Sequence, residues 1–388
     1  MTFFPNLNQF QLKNSEPLEN LHCNIQTLIS SIMDSELPHE MIMEILSRTT
    51  LKTFDAIVST NNEFNRLRYD PRFLNLYKHR SNIVSGFLVQ HSNCGLSYVH
   101  KSAPSQESAD LDLGFLSRDS RILAASEQGI VVFETPHRRC HGLVLYHICK
   151  PATKQVVALP NPKTRYLTEK VVVVVVGSNP LRYKILRLSK RPNKSVLQRR
   201  GELYSTYCCE VFDSATFEWK VLDDIMLPYC VFLRTSSQPI NVGGSIYMSL
   251  TNDNVLKFDI CSDKWTVFPL RVPSDPDRLF EDLKAVKYEG KLALACKLAN
   301  GGWEIWMNEA LERKHVFEEK EDLSLTNLYS FYDSDMSVVV DYDTLVFYEF
   351  KKGETIGKVR LNGHVSANCS IFGFRSDFEP VELRRSRR

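Results

Sequence analysis

Two periodicities divide the chain. Between residues 36 and 80 the apolar positions recur with helical spacing. Met41, Ile42, Ile45 and Leu46 fall at i, i+1, i+4 and i+5, one face of a helix. Phe54, Ile57 and Val58 make a second stripe, and Phe64 and Leu67 a third. After the Asp70-Pro71 turn signal come Phe73, Leu74, Leu76 and Tyr77. Pro38 is placed in a first helical turn, where a missing N–H costs nothing. Roughly three or four short helices in so little chain bury a small core, so this module must lean on a partner or on the rest of the protein.

From about residue 85 the pattern changes to short apolar or alternating runs separated by turn residues. Examples are Ser85–Gln90, Gly129–Phe133, Leu143–Ile148, Val171–Val176, Tyr183–Leu188, Tyr207–Phe212, Lys291–Lys297 and Leu345–Phe350. Such a series predicts an all-β sandwich, barrel or propeller. The valine run Val171–Val176 is far too short to cross a bilayer and reads as a strand buried on both faces.

An internal repeat favours the propeller. Glu210 to Trp219 aligns with Leu256 to Trp265 after a shift of 46 residues, Asp213 onto Asp259. In both copies an aromatic-Asp pair ends a strand, a hydroxyl residue follows three positions later and Trp six positions later. Cys149 to Val156 keeps the spacing, with Thr153 in the hydroxyl slot and Val156 in place of Trp. The physics is that of a hairpin. Asp and Ser/Thr hydrogen-bond the turn backbone, and Trp returns on the next strand opposite the aromatic. Strand hairpins recurring every 40 to 50 residues or so are the mark of propeller blades. The 63 residues between Lys150 and Asp213 require an insertion, and the basic stretch after Pro180 is the natural candidate.

Composition narrows the function. A net charge of +2 leaves no global field for nucleic acid or a membrane. The N-terminus has no basic region followed by an apolar one, so the expected compartment is the cytoplasm or nucleus, with the ten cysteines reduced. His137, Cys140, His141, His147 and Cys149 crowd together, but their spacing matches no zinc pattern, and they read as core or turn residues. Glu318, Glu319, Glu321 and Asp322 read as an exposed acidic run rather than a paired-carboxylate site. No G-x-S-x-G elbow, phosphate-binding loop, H-E-x-x-H or dinucleotide fingerprint is present, so no catalytic residue, metal ligand or cofactor site is assigned.

Residues 182–200 carry Arg182, Lys184, Arg187, Lys190, Arg191, Lys194, Arg199 and Arg200 without an acid. The plain reading is a solvated insertion loop between blade strands. The sharper one is an exposed basic surface, with Arg187, Lys190, Arg191 and Lys194 taking an acidic or phosphorylated target. A nucleic-acid surface would need interleaved aromatics, and Tyr183 alone offers one. The C-terminal Arg384-Arg385-Ser386-Arg387-Arg388 is either a nuclear-import signal or a solvated tail.

Residues 35–80 resemble an F-box, through Leu37-Pro38, Glu40, Ile42, Glu44-Ile45-Leu46-Ser47-Arg48, Lys52, Leu67 and Asp70-Pro71-Arg72-Phe73. The resemblance implies binding to a Skp-type adaptor and through it to a cullin, with Leu37, Pro38, Ile42, Ile45 and Leu46 facing the adaptor. The sequence departs from the family pattern at Thr49-Thr50, Thr60 and Phe64, where larger apolar residues or Trp are usual. Residues 85–377 resemble the F-box-associated, kelch-like region of plant F-box proteins. The matching stretches include Ile122 to Ile130, Lys150 to Gln155, Val242 to Tyr247 and Tyr288 to Leu294. That resemblance implies a galactose-oxidase-like propeller that captures a target protein.

The expected architecture is therefore α+β and multidomain. A flexible leader (1–34) and a small helical F-box (35–80) precede an all-β propeller-like domain (85–377) and a basic tail (378–388). The expected role is a non-catalytic substrate receptor of a ubiquitin ligase, without cofactor, nucleic acid or membrane. The alternatives are a propeller module whose F-box no longer recruits a ligase, or a glycan-binding or enzymatic propeller.

Overall fold

The computed structural model describes residues 38–49, 72–73 and 76. Between residues 83 and 383 it describes all but short segments, the longest being 101–110, 272–279, 318–327 and 361–369. The chain forms two compact units, residues 1–82 and 83–388.

In the first unit α1 (His39–Leu46) is an eight-residue helix, too short to stand without packing. Pro38 sits at its N-cap with extended ψ, so its carbonyl accepts from Met41 and Ile42 at 2.9 and 3.2 Å while its absent N–H is not missed. The C-terminal end is closed by two hydroxyls. Ser47 Oγ donates to the Glu44 carbonyl at 2.8 Å and Thr49 Oγ1 to the Leu46 carbonyl at 2.7 Å. The buried face is Met43 and Leu46, one turn apart, with Ile42 and Ile45 half-buried beside it. Met41, read from spacing as part of the apolar stripe, is exposed. Phe73 is fully buried. The other predicted helical stripes lie outside the described residues.

The second unit is a β-propeller. Among the described residues it has six antiparallel sheets, taken mostly in chain order. One contains β1 (Ile83–His91), β2 (Gly95–His100) and the last strand, β25 (Ser370–Asp377), in the order β2-β1-β25. The next contains β3 (Arg121–Ala125), β4 (Val131–Pro136), β5 (Val144–Lys150) and β6 (Gln155–Ala158). A six-stranded sheet follows, with β7 (Leu167–Ser178), β8 (Leu181–Lys190), β9 (Val196–Arg199), β10 (Glu202–Asp213), β11 (Glu218–Val221) and β12 (Ile225–Pro228). Then come β13 (Ile240–Val242), β14 (Ser245–Ser249), β15 (Asn254–Asp259) and β16 (Lys264–Pro269). The last two sheets are β17 (Phe280–Tyr288), β18 (Lys291–Leu298), β19 (Trp303–Met307) and β20 (Glu312–Phe317), and β21 (Leu328–Tyr332), β22 (Met336–Asp341), β23 (Thr344–Glu349) and β24 (Glu354–Arg360).

The inner strands β3, β7, β13, β17, β21 and β25 carry the ring. β3 lies against β7, β13 against β17, β17 against β21, and β25 against both β21 and β3. Closure is therefore non-local: β1 pairs β25 from Ile83↔Asp377 to Gln90↔Ser370. Radial repetition of this kind leaves each sheet only short, protected edges.

The repeated hairpins form as their sequence requires. Phe212 pairs Trp219 across β10–β11, ring centroids 5.5 Å apart, and Phe258 pairs Trp265 across β15–β16 at 4.5 Å. Cys149 faces Val156 at the matching place in β5–β6. The Asp213 carboxylate accepts from the Ala215 N–H at 2.8 Å, and the Asp259 carboxylate from the Ser262 N–H at 2.7 Å. Lys154, Phe217 and Asp263 all hold positive φ at the same repeat position. Three turns built from different residues thus share one left-handed corner, which non-glycine residues adopt only when flanking pairing demands it. Each Trp also joins blades. Trp219 packs with Tyr146, Ile148 and Leu159 of the preceding sheet and donates Nε1–H to the Pro160 carbonyl at 2.7 Å.

Two expectations need correction. The α+β reading overstates the helical share, since α1 is the one α-helix with defined bounds among the described residues and the propeller dominates. The first half of the basic stretch is not an insertion, because Leu181–Lys190 is β8, a central strand paired on both sides; the second half holds β9, which is extra to the four-strand path of the blade. The extra length of this blade lies in β9 and β12, which extend β10 past its neighbours β8 and β11.

The end of the chain straps two blades. Gln155 both donates to and accepts from the backbone of Val381 at 3.0 Å, Tyr183 donates to the Leu383 carbonyl at 2.7 Å, and Leu383 is buried beside Phe212 and Trp219.

The core makes the fold sensitive to alkali. Among the described residues all six cysteines are free, and burial pushes the thiols of Cys149, Cys209 and Cys296 up, Cys296 to about 12. The folded state then keeps protons that the unfolded chain releases above the ordinary thiol value of 9.0. Their contribution is complete below that pH and is lost as pH rises, by about 1.4 kcal/mol per unit per group. Lys170 acts the opposite way, burial lowering it to about 8, so its charged form penalises the fold less as pH climbs. Three thiols outweigh one amine. The urea midpoint is expected to be flat from about pH 7 to 8.5 and to fall steadily from about 9 to 10.5. A midpoint that rises over the upper interval contradicts the assignment.

Candidate functional site

The sequence nominated two surfaces, and the structure treats their residues unequally. On α1, Pro38 is exposed and Ile42 and Ile45 are half-buried, so these side chains keep apolar area available to a partner. Leu46 has no exposed surface and packs beside Met43 on the buried side of the helix. Leu37 lies outside the described residues, as do Thr50, Thr60 and Phe64. Thr49, which replaces an apolar residue of the family pattern, has its hydroxyl engaged in closing the helix. The neighbouring Arg48–Glu44 pair, 2.8 Å apart on the surface, adds little.

On the propeller, Arg187 is not a surface cation. Its side chain is 2% exposed and its guanidinium pairs with the Glu210 carboxylate, which is fully buried. Nε–H points at Tyr146 Oη (3.1 Å) and Thr168 Oγ1 (3.0 Å), Nη1 donates to Thr164 Oγ1 at 3.0 Å, and Nη2 to the Tyr166 carbonyl. Glu210 accepts from the Thr164 N–H at 2.9 Å and the Thr164 hydroxyl at 2.7 Å. The pair fastens the Thr164–Thr168 segment onto β8 and β10. Low dielectric strengthens every bond in such a network and makes each indispensable. The physical reason for the misreading is position: residue 187 points inward from a two-sided strand, and the sign of a charge carries no information on which way it faces.

The other basic residues are partly engaged. Lys184 donates to the Ile260 carbonyl at 2.7 Å and meets Asp263 at 3.3 Å, tying this sheet to the next hairpin turn. Arg191 pairs with Asp224 at 2.9 Å and lies over the Tyr166 ring. Lys190 extends over the Phe232 ring, 5.5 Å from its centroid, and Arg199 is exposed. Lys194 lies outside the described residues.

What the charge pattern missed is apolar. Val196, Leu197, Leu203, Met226, Tyr229 and Phe232 are each 38–48% exposed and sit on or beside the β9–β10–β12 extension. The registers bring them to one end of the blade: Val196 faces Ser205, Leu197 faces Tyr204 and Met226 faces Thr206, while the Tyr229 N–H donates to the Leu203 carbonyl at 3.0 Å. Leu167, 72% exposed, pairs with Lys190 at the same end. By strand parity Val196 and Leu203 lie on one face of the extension and Leu197 and Met226 on the other, so apolar surface is exposed on both sides of this blade end. The signal was present in sequence as Val196-Leu197 between basic residues, but only strand pairing gathers it with residues 226–232.

Of the histidine–cysteine cluster, Cys149 is buried on β5 beside His147 on the same strand. His147 stacks on Phe133 (4.9 Å between centroids, 13° between planes), and burial lowers its pKa. Among the described residues no group of three or more His, Cys, Asp or Glu is placed to hold a metal. Cys140, His141 and residues 318–322 lie outside them.

Residues 83–352 match the F-box associated beta propeller domain family. An F-box protein of Arabidopsis thaliana is 28% identical over 41% of this chain and 89% of its own length. An F-box/kelch-repeat protein of that plant is 23% identical over 72% of each chain, and an F-box/LRR-repeat/kelch-repeat protein 21% identical over 75% and 76%. Two further relatives there are covered over 62% and 66% of their own length. The family match begins after residue 82, so it does not include the segment that resembles an F-box.

Proposed function

Because the chain belongs to the F-box associated β-propeller family, we propose that it is the substrate-recognition subunit of an SCF-type (Skp-cullin-F-box) E3 ubiquitin ligase. In this reading α1 and the F-box-like segment after it hold a Skp-type adaptor, and through it the cullin. The propeller captures the target. No side chain of this chain performs chemistry: ubiquitin transfer is accelerated because target lysines and charged E2 are held together at high effective concentration.

The observation that carries the proposal is the conjunction of a propeller matched over residues 83–352 with a Pro-capped helix just ahead of it. That helix leaves Pro38, Met41, Ile42 and Ile45 wholly or partly open while Met43 and Leu46 close its own core. A helix of this length with an open apolar flank suits a module completed by a partner. The names of the plant relatives support the same role.

Co-expression of the full chain with a Skp-type adaptor tests it. The wild type is expected to co-purify with the adaptor. A Leu37→Ala/Ile45→Ala variant is expected to lose at least about thirtyfold in affinity, the effect of removing two interface anchors. Failure of the wild type to co-purify, with the propeller folded, contradicts the proposal and favours a binding module acting outside a ligase.

A further inference from the structure

β9 has a free edge. Among the described residues Val196–Arg199 pair with β10 alone, from Val196↔Ser205 to Arg199↔Glu202, and all four residues are exposed. β7 does not reach this edge: it begins at Leu167, which pairs with Lys190 at the end of β8. An unpaired row of N–H and C=O groups is a ready template for another strand. Here the row carries Val196 and Leu197, and further exposed apolar groups, Leu203, Met226 and Tyr229, lie on the strands and turn beside it.

Charge selects the occupant. Residues 190–200 contain Lys190, Arg191, Lys194, Arg199 and Arg200 and no acid. Three described acids lie nearby, Asp224 paired with Arg191, Glu202 facing Arg199 across the β9–β10 register, and Glu169 on β7, so the cations of the stretch still outnumber them. A basic, apolar strand edge complements an extended segment in which acidic and β-branched residues alternate, one face meeting the cations and the backbone completing the ladder.

We propose that β9 captures an acidic, extended segment of the target protein by strand addition, as the fourth strand of the row β12–β10–β9 at the end of this blade. This deepens the receptor reading above and rests on it for the meaning of the bound segment. The binding itself needs no adaptor, so the two fail separately. Loss of adaptor binding leaves strand capture intact, and loss of strand capture leaves adaptor binding intact.

The test uses the full chain and a fluorescein-labelled octapeptide of alternating glutamate and valine, followed by fluorescence anisotropy. The acidic peptide is expected to bind, and an alternating lysine–valine peptide to bind at least about tenfold more weakly. Methylating every other amide nitrogen of the acidic peptide removes ladder donors and is expected to cost about tenfold or more. Leu197→Asp and Arg199→Glu, both at exposed positions, are expected to weaken binding similarly while leaving the unfolding midpoint unchanged. Equal binding of the acidic and basic peptides overturns the charge assignment. Indifference to amide methylation overturns strand addition, and absence of binding overturns the proposal.

Discussion

Arg187→Met is expected to destabilise the propeller by about 3–5 kcal/mol, the cost of leaving one charge of a buried pair without its partner. The substitution keeps the length and volume of the stem, so packing changes little. What changes is Glu210, fully buried, whose carboxylate keeps only its bonds to Thr164. Tyr146, Thr168, Thr164 and the Tyr166 carbonyl lose the donor around which they are arranged. Urea unfolding followed by tryptophan fluorescence measures the loss, since Trp219 lies in the adjoining cluster. The double variant Arg187→Met/Glu210→Leu is expected to recover most of it, because replacing both buried partners by apolar groups is often neutral or better. An exposed, target-binding Arg187 would instead leave the midpoint unchanged.

Gly129→Ala is the second large effect, and it acts on ring closure. Gly129 holds φ +79° in the tight turn between β3 and β4, where Ser126 accepts from Gln128, Gly129 and Ile130. A Cβ there would stand 2.2 Å from Ser376 Oγ, 2.5 Å from Ser376 Cβ and 2.9 Å from the Arg375 carbonyl oxygen. These atoms belong to β25, the strand that closes the ring by pairing β1. The left-handed conformation alone costs an alanine about 1–2 kcal/mol. Overpacking against buried backbone adds about 1–3 kcal/mol. Gly201→Ala separates the two causes, because Gly201 holds φ +86° with nothing within 4 Å of its Cβ position. The expected result is a loss at Gly129 about 2 kcal/mol greater than at Gly201. Equal losses would mean that the close approach to β25 has no energetic consequence.

These two residues also show what could be read from the chain and what could not. The hairpin repeat was legible because its information is local: Phe212, Asp213, Thr216 and Trp219 lie within one turn and its flanking strands, and their spacing dictates their pairing. The closing strand β25 was not. Ser370–Asp377 pairs with β1 nearly three hundred residues earlier, and its pattern is too short to announce that partner. Short strands such as β13 and β12 escaped for a related reason, since three or four residues give no periodicity to recognise. Arg187 was misplaced because a cation in a basic run reads as surface, whereas β8 buries it against an acid on β10 that sequence proximity does not reveal. On α1 the spacing found the correct helix but assigned Met41 in place of Met43 to its inner face. In eight residues two overlapping stripes fit the same letters, and only tertiary packing chooses between them.

The candidate surfaces divide in the same way. Ile42 and Ile45 keep the partial exposure that an adaptor-facing role requires. On the blade, the residues that became structural (Arg187, Lys184) and those left at the edge (Lys190, Arg199) came from one uniform basic stretch. Strand geometry, not composition, sorted them.

The central claim is that this chain joins an adaptor to a target, and titration calorimetry of the full chain with a purified Skp-type adaptor tests it most directly. The account predicts a one-to-one complex that an Ile42→Asp/Ile45→Asp variant abolishes while the propeller's urea midpoint stays where it was. Absence of binding by a folded wild type, or equal binding by the variant, would contradict it.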